Sequence, residues 1–193
     1  MEDQLLDRTR RLLTDYLTFC AQEPGAPEPP PTSVEAALLR SVAAHIQHQH
    51  RFFFSPFMDY QGNRLELVTQ MADALLFDDQ SFNWGRLVLL LTFAGTLLNQ
   101  GSCKAIRRRN VVRNQIQVVR DCHLLVDLLC NRLLGQHRSW LEARDGWDGF
   151  CRFFKSPLPL SFWRRLLIKA FLSCIITTAI LYIWKNYLKV LKF

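Results

Sequence analysis

The sequence predicts an all-α protein, a helical bundle with two central apolar helices wrapped by amphipathic ones, followed by a C-terminal transmembrane helix. Three observations carry that expectation. Apolar residues recur at helical spacing along most of the 193-residue chain. Within the stretch 82–100, the run from Trp84 to Leu98, about fifteen residues, is apolar on every side with Arg86 its only charge. That is the mark of a buried helix, and it is too short for a membrane span. A second run, 166–184, is long enough to cross a bilayer and carries only Lys169. The length suggests one folded domain, residues 1–160, with the anchor in 161–193.

In chain order, residues 3–20 read as an amphipathic helix, with Leu5, Leu12, Leu13, Tyr16 and Cys20 on one face. Residues 21–33 hold five of the eight prolines, which fix φ and remove donors. They read as an extended linker, with a proline-recognising partner as the alternative. Ser33 caps the next helix, where Leu39, Val42 and Ile46 share a face and Arg51–Phe54 continue the run, the phenylalanines packing across its end. Pro56 breaks it. After a Gly62-Asn63 turn, Leu65, Val68, Ala72 and Leu75 give another amphipathic helix ending near Phe77.

Asn83 caps the apolar run, with Phe82 and Leu87 as a hydrophobic staple. Gly85 and Arg86 then fall in its first turn. Arg86 reads either as a solvated charge or as an anchor for an acidic partner. Gly101 ends the run, and the basic stretch 104–120 follows. A solvated loop, a nuclear or nucleic-acid signal and a contact with anionic lipid are its three readings. Val112, Ile116, Val119, Val126, Cys130 and Leu133 trace one face of a long helix, 111–134, paired antiparallel with the central one. Gly135 closes it, and 138–144 is a short helix carrying Trp140. Asp145 caps the next, with Asp148 completing a carboxylate capping box ahead of Trp147 and Phe150.

In 166–184, Leu166, Phe171, Ile175, Ile180 and Trp184 mark the span, flanked by interfacial aromatics and lysines. The expectation is a single-pass tail anchor with the domain in the cytosol. An apolar helix folded back on the protein is the alternative.

Composition narrows the function. The net charge of +7 suits an anionic membrane surface or an acidic partner. No nucleic-acid-binding signature appears, so no nucleic-acid partner is expected. The six cysteines are irregularly spaced and form no C-x-x-C pair, which reads as free thiols in a reducing compartment. His45, His48 and His50 lack nearby carboxylate or cysteine ligands, so no metal site is expected. Nucleophile-elbow, P-loop, zincin and dinucleotide motifs are absent, so no catalytic residues, enzyme activity or cofactor are expected.

Asn83-Trp84-Gly85-Arg86, followed by an apolar run and Phe93-Ala94-Gly95, resembles the first homology motif of the Bcl (B-cell lymphoma) family of apoptosis regulators. Residues 140–150, with Trp140, Gly146 and Trp147, resemble the second. Leu12–Leu17 resembles the fourth more weakly. The third motif departs from the family's pattern, because Ala43-Ala44 stand where it keeps Gly-Asp. The resemblance implies an apolar surface groove that takes the amphipathic death-motif helices of pro-apoptotic relatives, forming hetero-dimers with family members. It places the groove at Val68, Asn83, Gly85, Arg86 and Leu87, with Arg86 pairing a ligand aspartate. It implies control of programmed cell death at an intracellular membrane: the mitochondrial outer membrane, endoplasmic reticulum or nuclear envelope. The sign expected is pro-survival. A pro-apoptotic or pore-forming protein and a non-enzymatic adaptor are the other readings.

Overall fold

A computed structural model describes residues 3–23, 25–58, 60–76, 82–99 and 108–155, with side chains left out for 108–114. The anchor expected at 166–184, with its five marker residues, lies outside this set, as do Phe77 and Gly101. Among the described residues no helix is long and apolar enough to cross a membrane. They form eight α-helices and no strand. The helices are α1 (Gln4–Cys20), α2 (Val34–Gln49), α3 (Arg51–Phe54), α4 (Arg64–Leu75), α5 (Trp84–Leu98), α6 (Arg108–Gln136), α7 (Arg138–Glu142) and α8 (Gly146–Lys155).

Local chemistry sets where several of these begin. The side chains of Asp3, Ser33, Asn63 and Asn83 each accept a hydrogen bond from the backbone N–H three residues on. Each satisfies a donor that an opening helical turn leaves without an intrahelical partner. Every residue of α5 except Arg86 is buried. α1, α2, α4 and α6 all touch this central helix. The crossing of α1 over α5 is close: a Cβ on Gly95 would stand 2.7 Å from Cys20 Sγ and 2.8 Å from the Tyr16 hydroxyl. Glycine is what lets the two helices approach.

The structure moves several sequence expectations. α6 does contact α5, but it packs most extensively against α1. Its buried arc is Val118, Cys122, Leu125, Val126, Leu129, Cys130 and Leu133, whereas Ile116 is 67% exposed and Val119 45%. The expected face was therefore rotated at its N-terminal half. α6 also runs past Gly135 to Gln136. In α2 the buried ridge is Ala36, Leu39, Ala43 and Ile46, with Val42 only partly covered. The helix breaks at His50, and Phe52 is 81% exposed. Phe54 is buried, and Phe57 packs edge-on against Phe93 at 5.0 Å between centroids.

Asp145 does not cap α8 in the expected way. Its φ of 57° is left-handed, and Gly146 follows at 51°. The Asp148 carboxylate, expected in a capping box, instead accepts from Arg8 of α1 at 2.6 and 2.7 Å. These hydrogen bonds hold the Asp148 carboxyl below the usual carboxylate range, against a smaller opposing effect of burial. Arg8 also pairs with Glu35 of α2, so one guanidinium ties three helices. The Trp147 indole N–H donates to Thr9 Oγ1 at 2.9 Å, in the buried interior beside it.

The proline-rich linker is more than a spacer. Its Thr32 N–H donates to Asp15 at 2.9 Å, and its Pro29 carbonyl accepts from Arg40 at 2.7 Å. Arg40 closes the set by pairing with Asp15 at 2.6 Å and stacking over Phe19 at 4.3 Å. The linker is thereby fastened across α1 and α2.

Candidate functional site

The site begins with the two segments singled out by motif. Trp84 opens α5, Trp140 lies in α7, and Trp147 and Phe150 lie in α8. The fold brings them into one aromatic cluster. Trp84 meets Trp140 at 4.8 Å, Phe150 at 5.6 Å and Trp147 at 6.2 Å between ring centroids. The first two contacts are edge-to-face, the arrangement favoured by the ring quadrupoles. Phe82 joins from just ahead of α5, stacked on buried His137 at 4.1 Å and edge-on to Trp140 at 4.5 Å. Gly146 is buried and supplies the left-handed turn into α8. A Cβ at Gly149 would collide with the Arg144 carbonyl oxygen, so that turn requires a second glycine.

This cluster fixes the first turn of α5. Asn83 Oδ1 accepts from the Arg86 N–H at 3.1 Å. Gly85 is buried beside Trp84, and Arg86 is the one residue of α5 left partly open to solvent. Its Nη1 donates to the Leu75 carbonyl, in the last turn of α4, at 3.2 Å. The guanidinium is thus held where the end of α4 meets the start of α5. Val68 and Leu87 belong with these residues in the expected groove, but the structure places both in the fully buried core.

Sequence reasoning missed the other polar feature of this helix pair. Arg64, the first residue of α4, is only 5% exposed. It donates through Nε to the Leu97 carbonyl near the end of α5, and through Nη1 to Asp121 of α6, both at 2.8 Å. A buried charge is tolerable when paired and hydrogen-bonded, as here.

Nothing else among the described residues assembles into reaction chemistry. Burial pushes the Cys20 thiol up to about 12 and the Cys130 thiol up to about 11. Neither presents a thiolate near neutral pH. No group of three His, Cys, Asp or Glu among these residues could hold a metal ion.

An apolar helix enclosed by a helical bundle, with two distant motifs meeting at its start, defines a class. Residues 39–147 match the family described as apoptosis regulator proteins of the Bcl-2 family. The chain belongs to that family and is an apoptosis regulator of it. It is 66% identical over 185 residues to Bcl-2-like protein 10 of Rattus norvegicus, covering 96% of this chain and 99% of that protein. A solution structure of a divergent Bcl-2 protein is 61% identical and superposes with a TM-score of 0.67, covering 82% of this chain and 94% of that one. The crystal structure of the zebrafish pro-survival protein NRZ in complex with the Bad BH3 is 28% identical with a TM-score of 0.55, covering 78% of this chain and 94% of that one.

Proposed function

We propose that this chain protects cells from programmed death by seating amphipathic death-motif helices of its relatives in a groove at the start of α5, with Arg86 as the charged anchor. The placement of Arg86 carries the reading. It is the only residue of α5 that is not buried, and an aromatic cluster and an asparagine cap fix the turn bearing it. A guanidinium there offers two parallel donors to one carboxylate of a ligand helix. Asn83 adds a polar group beside it. The likeness to NRZ, whose solved complex holds the Bad BH3, supports the same mode.

The pro-survival sign has a second support within α2. Ala43 is buried and Ala44 exposed, and neither carries a carboxylate. This helix therefore has no aspartate to offer a relative's arginine. The protein acts by binding, without catalysis or cofactor. The apolar length of 166–184 supports residence at a membrane.

Calorimetric titration with a death-motif peptide tests the proposal. Removing one partner of a desolvated hydrogen-bonded pair costs about 2–5 kcal/mol. Arg86→Ala should therefore weaken the peptide on the order of thirtyfold to several thousandfold. An affinity within about twofold of the parent, some 0.4 kcal/mol, would put the groove elsewhere.

A further inference from the structure

The segment between α1 and α2 has a backbone dictated by its prolines. Proline fixes φ near the polyproline value, and the residue before a proline is pushed to extended ψ. In Ala26-Pro27-Glu28-Pro29-Pro30-Pro31 one or both restraints act on every residue. Residues 27–31 accordingly form no helix, strand or turn. The conformation these restraints select is the left-handed polyproline helix, with about three residues per turn and no internal hydrogen bonds.

Two backbone bonds, one such turn apart, set how this helix lies on the bundle. The Pro29 carbonyl accepts from Arg40 at 2.7 Å, and the Thr32 N–H donates to Asp15 at 2.9 Å. Both anchors belong to a sheltered ion pair, in which the Arg40 and Asp15 side chains are 12% and 2% exposed. Pro29 is half-buried as a result. The period of three then sorts its neighbours. Pro27 and Pro30 make one outer ridge, Glu28 and Pro31 the next, and all four are exposed. Charge sets the segment apart as well. Residues 21–33 hold Glu23 and Glu28 and no base, in a chain of net charge +7.

We infer that the folded chain presents residues 27–31 as a rigid polyproline ligand for a proline-reading domain of another protein. The partner's aromatic-lined groove takes the two outer ridges, and a cation on its rim meets Glu28. Domains of this kind use ligands that are extended before they bind, so little ordering entropy opposes the contact. Fastening the backbone at Pro29 and Thr32 lowers that cost further. The surface shares no residue with the groove at the start of α5 and does not depend on it.

The test probes an array of purified SH3, WW and EVH1 domains with the full-length chain in detergent. Fluorescence anisotropy then measures the affinity of the domain that binds best. Pro27→Ala with Pro30→Ala should weaken it on the order of tenfold to a hundredfold, through lost apolar contact. Glu28→Lys should weaken it on the order of fivefold, the worth of a rim ion pair. Arg40→Gln leaves every linker residue in place and should still weaken binding, because the Pro29 carbonyl loses its anchor. A free peptide of residues 25–33 should bind roughly tenfold less tightly than the folded chain, since it must be ordered on binding. Positions 27, 28 and 30 are exposed, and circular dichroism checks that the variants fold. Binding to no domain on the array, or binding that the proline changes or Glu28→Lys leave intact, would overturn the inference. So would a free peptide as tight as the folded chain, and that comparison decides if Arg40→Gln fails to fold.

Discussion

The two ends of α5 are built on the same device with opposite exposure. At its C-terminal end, Arg64 from the first turn of α4 donates to the Leu97 carbonyl. At its N-terminal end, Arg86 from the first turn of α5 donates to the Leu75 carbonyl of α4. Each antiparallel partner thus lends an arginine to the other's last turn, where carbonyls lack intrahelical donors and a cation is favoured. The difference lies in what surrounds each guanidinium. Arg64 is sealed and its charge is answered by Asp121. Arg86 lies half-buried above a rigid aromatic base. The same residue type in the same local role is therefore enclosed by the fold at one end and half-exposed at its surface at the other.

The largest way to break that comparison is Arg64→Met. It strands Asp121 in the interior and should cost about 3–5 kcal/mol in urea unfolding. Adding Asp121→Leu should restore much of that loss, since apolar replacement of a whole buried pair is often neutral. If the single change costs no more than Arg86→Ala, the two ends are equivalent and the contrast fails. Gly95→Ala probes the sealed half by packing. Its new methyl meets Cys20 and Tyr16, and overpacking of this kind should cost about 1–3 kcal/mol in thermal unfolding. Asn83→Ala removes the cap at the open end and should cost about 1 kcal/mol, seen as a lower denaturation midpoint with unchanged slope. Arg86→Ala should be the smallest, within about 0.5 kcal/mol of the parent. A loss above about 2 kcal/mol would make Arg86 a structural residue like Arg64.

Much of the bundle was legible because its signals are local. Ser33 and Asn83 were readable as caps, since the bond each makes spans three residues. The uniform apolarity of 84–98 declared burial without naming any neighbour. The aromatic cluster was legible through its two motifs, although no periodicity says that Trp84 meets Trp140. What escaped depended on distant partners. Arg64 and Asp121 are 57 residues apart and look like any surface charges in sequence. Asp145 followed by a carboxylate three residues on fits a capping box, but Arg8 claims Asp148 from far along the chain. On α6, Ile116 and Val119 fit a helical stripe as well as Val118 and Leu125 do. The positions of α1, α4 and α5 decide which arc is covered.

The bond from Trp147 to Thr9 has a consequence in time. It joins residues 138 positions apart, so α1 and α8 can meet only when nearly all of the bundle has been synthesised. At roughly 5–20 residues per second, the ribosome needs on the order of 7–30 s to travel from one to the other. Throughout that interval Leu12, Leu13, Tyr16 and Leu17, all buried in the finished fold, lack much of the surface that covers them. A newborn chain of this kind depends on a chaperone, or on rapid provisional packing against α2, to keep its first helix from aggregating before its last arrives.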